Sequence, residues 1–260
     1  MIVIIHSSKT MRNRYSPSNS QTPVFDDDAR KMQLALSAKS ISEIQTIMHV
    51  SKPLAVKTQQ LIEDWLNSNP HLSPAMDSFV GDIYSGLRSD DFSEKDRTYA
   101  NQHLRLLSGL YGILKPLDSI APYRFEMGYR LPFAPQSTMY DYWGDRIAQT
   151  LPAHEIIVNA SSHEYIKVIE PFIDASRLIT PTFLSNHPKT NTPTFVAVHA
   201  KIARGAFARW IVLDRIESVS RFPEFSDLGY VYSEEMSSPN SPVYIAKEFK
   251  GLGLSQRLKG

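Results

Sequence analysis

The hydrophobic pattern of the chain alternates short apolar runs with longer amphipathic stretches, which predicts a mixed α/β (α+β) protein. An apolar run of strand length covers residues 2–5, and Ser40 with Glu43 marks a helix start by its capping-box spacing. Helices are expected at 26–38, from Ser40, and at 51–65, 93–107, 140–151, 164–169 and 201–215. Strands are expected at 76–80, 156–158, 178–184, 194–199, 229–232 and 243–249. No repeat, low-complexity tract or linker interrupts the pattern, so we expect one compact domain over residues 1–260.

The segment 104–127 combines an apolar framework with basic residues, glycines and prolines. It can be compared with a helix-hairpin-helix, in which 94–107 is the first helix and Gly109 and Gly112 lie in the hairpin. The backbone N–H groups of such a hairpin hold nucleic-acid phosphates without reading bases. Pro116 would shorten the second helix. The alternative is that the two glycines end a helix and lead into a strand.

The predicted helix 201–215 separates into two faces at 100° per residue. The apolar face consists of Ile202, Ala206, Trp210 and Leu213, with Phe207 beside them. The opposite face consists of Lys201, Arg204, Gly205, Ala208 and Arg215. Small residues among cations would let an anionic backbone approach the helix, and the free N–H groups of its first turn also favour anions. The alternative is that these are ordinary surface cations.

Charge is distributed locally rather than globally. The net charge is +1, but residues 97–130 contain five Lys or Arg against two acidic residues, and 201–215 contain four against one. Such basic patches can bind phosphates even on a neutral protein. The chain has no cysteine, no run resembling a secretion signal and no apolar stretch of membrane-spanning length. We therefore expect a cytoplasmic protein with no membrane partner.

Candidate acid-base residues are scattered along the chain without a motif that specifies a reaction: Asp82, His103, Glu126, Asp145, His163 and Glu164. The histidines form no HxH or HExxH pair, and GxGxxG, Walker A and GxSxG sequences are missing. We therefore expect no metal and no cofactor, and no enzyme class is predicted. His6 and His199, both beside predicted strands, are interpreted as structural histidines.

Several segments together resemble the YaaA family of bacterial peroxide-stress proteins. Ser8-Lys9-Thr10 is similar to the end of the family's SPAKT opening. The central signature is matched by FVGDIYSGL (79–87), HLRLLSGLYGILKPLD (103–118) and APYRFEMG (121–128). YDYWGD (140–145), VNASSHEYIK (158–167) and HAKIARGAFARWIV (199–212) continue the match in the same order. The resemblance covers nearly the whole chain.

This resemblance implies a single compact α/β domain with a basic cleft and a helix-hairpin-helix-like element. It also implies non-specific binding of duplex DNA, protection during peroxide stress and a low level of unincorporated iron. The implied DNA or phosphate contacts are Lys9, Thr10, Arg105, Ser108, Gly109, Gly112, Lys115, Tyr123, Arg124, Lys201, Arg204 and Lys247. The implied polar residues of the cleft are Asp82, Tyr84, Glu126, Asp145, Asn159, Ser162 and Glu164.

The chain departs from the family pattern at several positions. The tripeptide 6–8, His-Ser-Ser, replaces the usual Ser-Pro-Ala before the lysine. Val80 stands where a lysine is common, Ile202 replaces a second basic residue, and His163 occupies a position that is often acidic. The loss of two cations is expected to weaken phosphate binding.

Two functions from different classes remain open. In one, the chain binds DNA backbone between walls formed by 104–127 and 201–215. In the other, it is an enzyme acting on a nucleotide-like or other phosphorylated small molecule in the same place. A third interpretation makes the polar residues a structural network. A deep closed pocket containing Glu126 and Asp82 would favour the enzyme, and a long open groove would favour DNA.

Overall fold

A computed structural model describes residues 1–12, 21–67, 71–131 and 135–251. The strands are β1 Ile2–His6, β2 Thr10–Met11, β3 Ser73–Pro74, β4 Phe79–Val80, β5 Leu104–Ser108, β6 Gly112–Leu114, β7 Ser119–Ile120, β8 Ile157–Asn159, β9 Leu178–Ile179, β10 Thr182–Asn186, β11 Pro193–Thr194, β12 Tyr230–Tyr232 and β13 Val243–Ala246. The helices are α1 Asp26–Ser37, α2 Ile41–Met48, α3 Lys52–Leu66, α4 Ala75–Ser78, α5 Asp82–Leu87, α6 Glu94–His103, α7 Met139–Trp143, α8 Arg146–Gln149, α9 His163–Ile166 and α10 Ala197–Leu213.

The main sheet places the N-terminal strand at its centre. Its order is β6-β5-β1-β8-β9, and β1 runs parallel to both β5 and β8. Ile2 to Ile5 are all buried, as expected for a parallel strand covered on both faces. From β1 the sheet extends to β5 on one side and to β8 on the other. The connections that leave β1 and its neighbours therefore run in opposite directions, and this opens a crevice at the carboxyl ends of the strands. Ligands bind in such a crevice in open α/β sheets.

A second sheet, with the order β11-β10-β13-β12, packs against the long helix α10. Its core is aromatic: the rings of Phe183, Phe207, Phe225, Tyr230 and Tyr244 stack or meet edge to face. Helix α10 also contacts α5 and β1, so one continuous apolar core joins the two sheets. The prediction of a mixed α/β fold in a compact domain is confirmed.

The contact between α5 and α10 depends on two glycines. A Cβ atom on Gly205 would lie 1.8 Å from the carbonyl oxygen of Ile83, and one on Gly86 would lie 2.0 Å from that of Ile202. The backbones can therefore approach only because both side chains are absent. Gly205 and Ala208 are buried, so the prediction of a free face of cations and small residues on this helix is wrong.

The predicted helix-hairpin-helix is also wrong. Helix α6 ends at His103, and the residues that follow form β5 and β6, which pair antiparallel with Leu106 opposite Leu114. The apolar residues of 104–107 pair with the buried strand β1, so tertiary burial prevails over helix continuation. Gly112, at φ +66°, opens the second strand of a β-hairpin. The alternative, in which glycines lead from the helix into strands, is closer to the structure.

Four further expectations differ from the structure in detail. The strand expected at 76–80 is helix α4 followed by the short strand β4, and 194–199 is β11 followed by the start of α10. The helix expected at 140–151 divides into α7 and α8 because Gly144 adopts φ +51°. The strand expected at 178–184 becomes β9 and β10, which belong to different sheets. Among the described residues, no helix combines the length and apolarity needed to cross a bilayer.

Candidate functional site

A pocket of ≈ 220 Å³ lies at the carboxyl edge of the main sheet. It is lined by His6, Ser7, Ser8, Lys9, Gly81, Asp82, Ile83, Tyr84, Glu126 and Lys201. The first four residues end or follow β1, the next four surround the start of α5, and Lys201 belongs to α10. Five residues implied by the resemblance, which are far apart in sequence, therefore meet in one cavity: Lys9, Asp82, Tyr84, Glu126 and Lys201.

Glu126 is the buried acid of this pocket, with 7% of its surface exposed. Its Oε2 accepts a hydrogen bond of 3.1 Å from the hydroxyl of Tyr165. Burial raises the pKa of Glu126, whereas the charge of Lys9 and the Tyr165 hydrogen bond lower it. A carboxyl group whose pKa is displaced toward neutrality can exchange a proton with a ligand under physiological conditions.

A row of hydroxyl groups leads away from Glu126 into the core. The Oγ of Ser7 lies 3.0 Å from the hydroxyl of Tyr165, and Tyr123 is hydrogen-bonded to the same serine. The hydroxyl of Tyr123 lies 2.6 Å from the Oγ of Ser108, at the end of β5. The row therefore connects the carboxyl ends of β1 and β5 with Glu126. These buried hydroxyls hold Tyr165, and through it Glu126, in place.

The wall formed by α5 is attached to the end of β1 by two hydrogen bonds. The Tyr84 hydroxyl donates to the carbonyl oxygen of His6 at 2.9 Å, and the Oγ of Ser8 donates to that of Val80 at 2.6 Å. Asp82, half-buried, is the first residue of α5. These bonds hold the start of the helix, and with it the Asp82 carboxylate, at the pocket.

The cations of the pocket come from different elements. Lys9 and Lys201 are both exposed and line the cavity. Arg124 donates to the carbonyl oxygen of Lys9 at 3.3 Å, which ties the loop containing Glu126 to the loop after β1. Arg204, three residues after Lys201 on α10, is half-buried. Lys9 and Lys201 therefore share the cavity with one buried carboxyl group, and the charge of Arg124 also acts on that group.

Other expected residues beside this edge have structural roles. The Oδ1 of Asn159 accepts from the backbone N–H and the hydroxyl of Ser161, at 3.0 and 2.7 Å. Glu164 accepts from the backbone N–H of Gly128 at 3.1 Å, and its charge raises the pKa of Glu126. Ser162 precedes α9. These residues shape the loops around the pocket without lining it.

The basic residues of 104–127 divide between the two edges of the sheet. Arg105 and Lys115 lie at the amino end of β5, where they line a separate cavity of ≈ 310 Å³ together with Asp118. Arg105 donates to the backbone carbonyl of Leu104 at 2.7 Å. The expectation that this segment forms one continuous wall of a basic cleft is therefore not supported.

Four more of the expected residues lie outside the pocket. A Cβ on Gly109 would lie 2.5 Å from the carbonyl carbon of Glu126, and Gly112 packs on the Trp143 ring. Both glycines are buried, so their backbone does not form an exposed hairpin. The remaining pair are exposed: Asp145 accepts from Gln149, and Lys247 follows β13 in the second sheet. Thr10, exposed, pairs with Val80 beside the pocket.

Comparison with known proteins identifies the family. The family model described as peroxide stress protein YaaA matches residues 1–236. The chain belongs to this family. A UPF0246 protein of Salinispora tropica is 45% identical over 260 residues, covering 99% of this chain and 98% of that protein. UPF0246 proteins of Ruegeria pomeroyi and Burkholderia lata are 34% and 36% identical, each covering 94% of this chain and 98% of the relative.

Several residues of the site of this YaaA family member were not expected from the sequence, among them His6, Ser7 and Tyr165. His6 was interpreted as structural, yet it lines the pocket. His6 ends the buried strand β1 and Ser7 follows it. Because ligands bind at the carboxyl ends of such strands, this position in the sequence could have identified both residues. Within the described ranges, no group of three or more His, Asp or Glu side chains is placed to hold a metal ion.

Proposed function

We propose that this chain contributes to peroxide resistance by binding a small phosphorylated, nucleotide-like molecule in the carboxyl-edge pocket, with Glu126 exchanging a proton with it. The observation that supports this most is the cavity itself, which holds Lys9 and Lys201 around a buried carboxyl group. Glu126 and Asp82 share this one pocket, although the pocket is partly open to solvent rather than closed.

The proposed chemistry divides the pocket into two roles. Lys9 and Lys201 would hold the phosphate, since two ammonium groups lining one cavity can contact different oxygens of one anion. Glu126 would act as the acid-base group, supported by the hydroxyl of Tyr165.

The test is to titrate inorganic pyrophosphate and AMP into the purified protein at low salt by calorimetry. We expect Lys9→Ala and Lys201→Ala each to weaken binding about tenfold, the loss typical of one charged hydrogen bond. Lys115→Ala is the matched control, because this exposed lysine lies at the opposite edge of the sheet. Absence of binding to the wild type, or an equal loss in Lys115→Ala, would contradict the proposal.

Non-specific binding of duplex DNA is the second candidate. Lys9 and Lys201 are exposed at the pocket and could reach the phosphates of a passing strand. Val80 and Ile202 add no charge there, so few phosphate contacts are expected. When a short duplex is titrated at roughly 50 to 200 mM salt, the slope of the logarithm of the binding constant against the logarithm of the salt concentration should fall in magnitude by about one unit if Lys201 is replaced by Ala. An unchanged slope would remove DNA from consideration.

The limitation of unincorporated iron, implied by the resemblance, is also a proposal. It is tested in a strain that lacks its own family member, by measuring survival in hydrogen peroxide and iron detectable by electron paramagnetic resonance. We expect the wild type and Lys115→Ala to restore both properties, and Lys9→Ala and Glu126→Gln to restore neither. Full rescue by the pocket variants would show that the pocket is not required.

A further inference from the structure

A third cavity, of ≈ 470 Å³, lies between the start of α1 and the end of α3. It is larger than the carboxyl-edge pocket and shares no lining residue with it. Its volume is within the range of about 300 to 1,000 Å³ that is typical of small-molecule sites. The cavity therefore has room for a ligand of its own, and an inference about it does not depend on the proposed function.

One wall of this cavity contains a carboxylate and a guanidinium group from the same helix. Asp26 and Arg30 both line it, and their spacing of four residues places them on one face of α1. The Cβ atoms of residues at this spacing are about 6 Å apart. Among the described residues, neither side chain has a hydrogen bond or an ion pair with another group. Both charged groups are therefore available to a ligand.

The surroundings of Asp26 favour a cationic partner. Burial raises the pKa of its carboxyl group, and the charge of Asp27 raises it further, whereas the charge of Arg30 lowers it. An ammonium group beside the carboxylate would offset the two effects that raise the pKa. Arg30 is exposed, and its guanidinium group can hold a carboxylate through two parallel hydrogen bonds. The wall thus offers one position for a cation and one for an anion.

Another part of the cavity wall is apolar and aromatic. Trp65 and Leu66, at the end of α3, line it together with Leu72 and Tyr111. The indole Nε1 of Trp65 donates to the Tyr111 hydroxyl at 2.8 Å, which holds both rings in place. Burial raises the pKa of Tyr111, and the charge of Asp26 adds to the shift. The carboxylate of Asp26 is therefore close to the aromatic pair.

We propose that this cavity binds a free α-amino acid with a large apolar side chain. The ammonium group of the amino acid lies against Asp26, and its carboxylate lies against Arg30. Its side chain packs against Trp65, Leu66 and Leu72. A phosphate or a simple carboxylic acid would be repelled by Asp26, and an amine without a carboxylate would leave Arg30 without a partner.

The test is calorimetry with L-phenylalanine and L-leucine and with two analogues of each. One analogue is the amine that lacks the carboxylate, and the other is the acid that lacks the ammonium group. We expect the wild type to bind each amino acid at least about tenfold more tightly than either of its analogues, the gain typical of one charge-assisted hydrogen bond. Equal affinities of the amino acids and their analogues, or failure of both amino acids to bind, would overturn the proposal.

Two variants assign the charges of the ligand to their partners. In Asp26→Asn, phenylalanine should bind no more tightly than 3-phenylpropanoate, and in Arg30→Met it should bind no more tightly than phenethylamine. Asp27→Asn and Lys31→Gln are the matched controls, because these exposed residues of the same helix do not line the cavity. The controls should bind phenylalanine within about twofold of the wild type. Losses in the controls equal to those in Asp26→Asn and Arg30→Met would overturn the assignment to this cavity.

A spectroscopic measurement on the wild type locates the bound ligand. In protein labelled with ¹⁵N-tryptophan, phenylalanine should shift the indole Nε1 resonance of Trp65, which lines the cavity. The resonances of Trp143 and Trp210 should stay in place, because neither residue lines it. Binding by calorimetry without a shift of the Trp65 resonance would place the amino acid elsewhere and overturn the proposal.

Discussion

The two edges of the main sheet contain similar residues and use them differently. At the carboxyl edge, Glu126 is buried beside Lys9, and burial raises its pKa. At the amino edge, Asp118 is buried beside Lys115 and Arg105, and burial raises its pKa to about 6. Both edges also have a cavity. A raised pKa beside cations therefore does not by itself mark a functional site.

The difference lies in what the polar atoms contact. At the amino edge, Asp118 accepts from the backbone N–H of Lys115 at 2.8 Å, and Arg105 donates to the carbonyl of Asn101 at 3.2 Å. The same asparagine accepts from the backbone N–H of Leu117 at 3.0 Å. These bonds join the β-hairpin to α6. Polar groups there serve the fold, whereas at the carboxyl edge they converge on a cavity and leave Nε2 of His6 unused.

The largest expected effect comes from Gly205→Ala, at the contact between α5 and α10. The new Cβ would overlap the carbonyl oxygen of Ile83, so α10 must move away from α5. Overpacking of this kind costs about 3 kcal/mol of the free energy of unfolding, measured by urea denaturation. Leu213→Ala, at a partly exposed position of the same helix, should cost less than about 1 kcal/mol. Equal stabilities of the two variants would contradict the close helix contact.

Asp118→Asn tests whether the polar groups at the amino edge affect the stability of the fold rather than the binding of a ligand. Because the pKa of Asp118 is raised to about 6 in the folded protein, its ionisation opposes folding, and stability is lost as the pH rises from about 4 to about 6. The amide cannot ionise, so the variant should be more stable than the wild type by about 2 kcal/mol at pH 7 and no more stable near pH 3.5. Thermal unfolding across this range provides the measurement.

The same variant should leave ligand binding unchanged, since Asp118 lies away from the pocket. Weaker binding of pyrophosphate by Asp118→Asn would show that the two edges are coupled.

Sulfate binding at different pH values distinguishes the two acids directly. Burial raises the pKa of Glu126, so this group takes up a proton at a higher pH than a free carboxyl group does. Protonation removes a negative charge from the anion pocket, so the affinity of the wild type should rise as the pH falls from 8 to 5. Glu126→Gln should flatten the dependence, and Asp118→Asn should retain it. A flat profile in the wild type would argue against an anion beside Glu126.

The smallest expected effect is that of Tyr165→Phe on the same profile. Its hydroxyl stabilises the ionised form of Glu126, so its removal should raise the pKa of that carboxyl further. A shift of the sulfate profile by about half a pH unit, or about 0.7 kcal/mol, is expected. Tyr140→Phe is the control, because that hydroxyl donates to the backbone carbonyl of Glu164 instead. Identical profiles for both variants would remove Tyr165 from the site.

Elements specified by local residues were predicted well. Strand β1 follows from its apolar run, and the capping box of Ser40 and Glu43 is present at the start of α2. Helix α10 was expected near its observed position, but its faces were assigned incorrectly. Helical periodicity identifies which residues share a face, but a buried helix has partners on several sides. The close contact at Gly205 depends on Gly86, 119 positions earlier in the chain (205 − 86), and has no local signal.

The sequence by itself determined the family, the mixed α/β class, the central strand and the residue types available for binding an anion. Only the tertiary structure decided which of those residues meet. The parallel pairing of β1 with β5 and β8 sends Ser108 to the edge that holds Lys9 and Glu126, and sends Arg105 to the opposite edge. Sequence separation does not record the direction of a strand within a sheet. The tertiary structure also determines the pKa shifts of Glu126 and Asp118, because the free-energy cost of ionising a buried group depends on surroundings that distant segments provide.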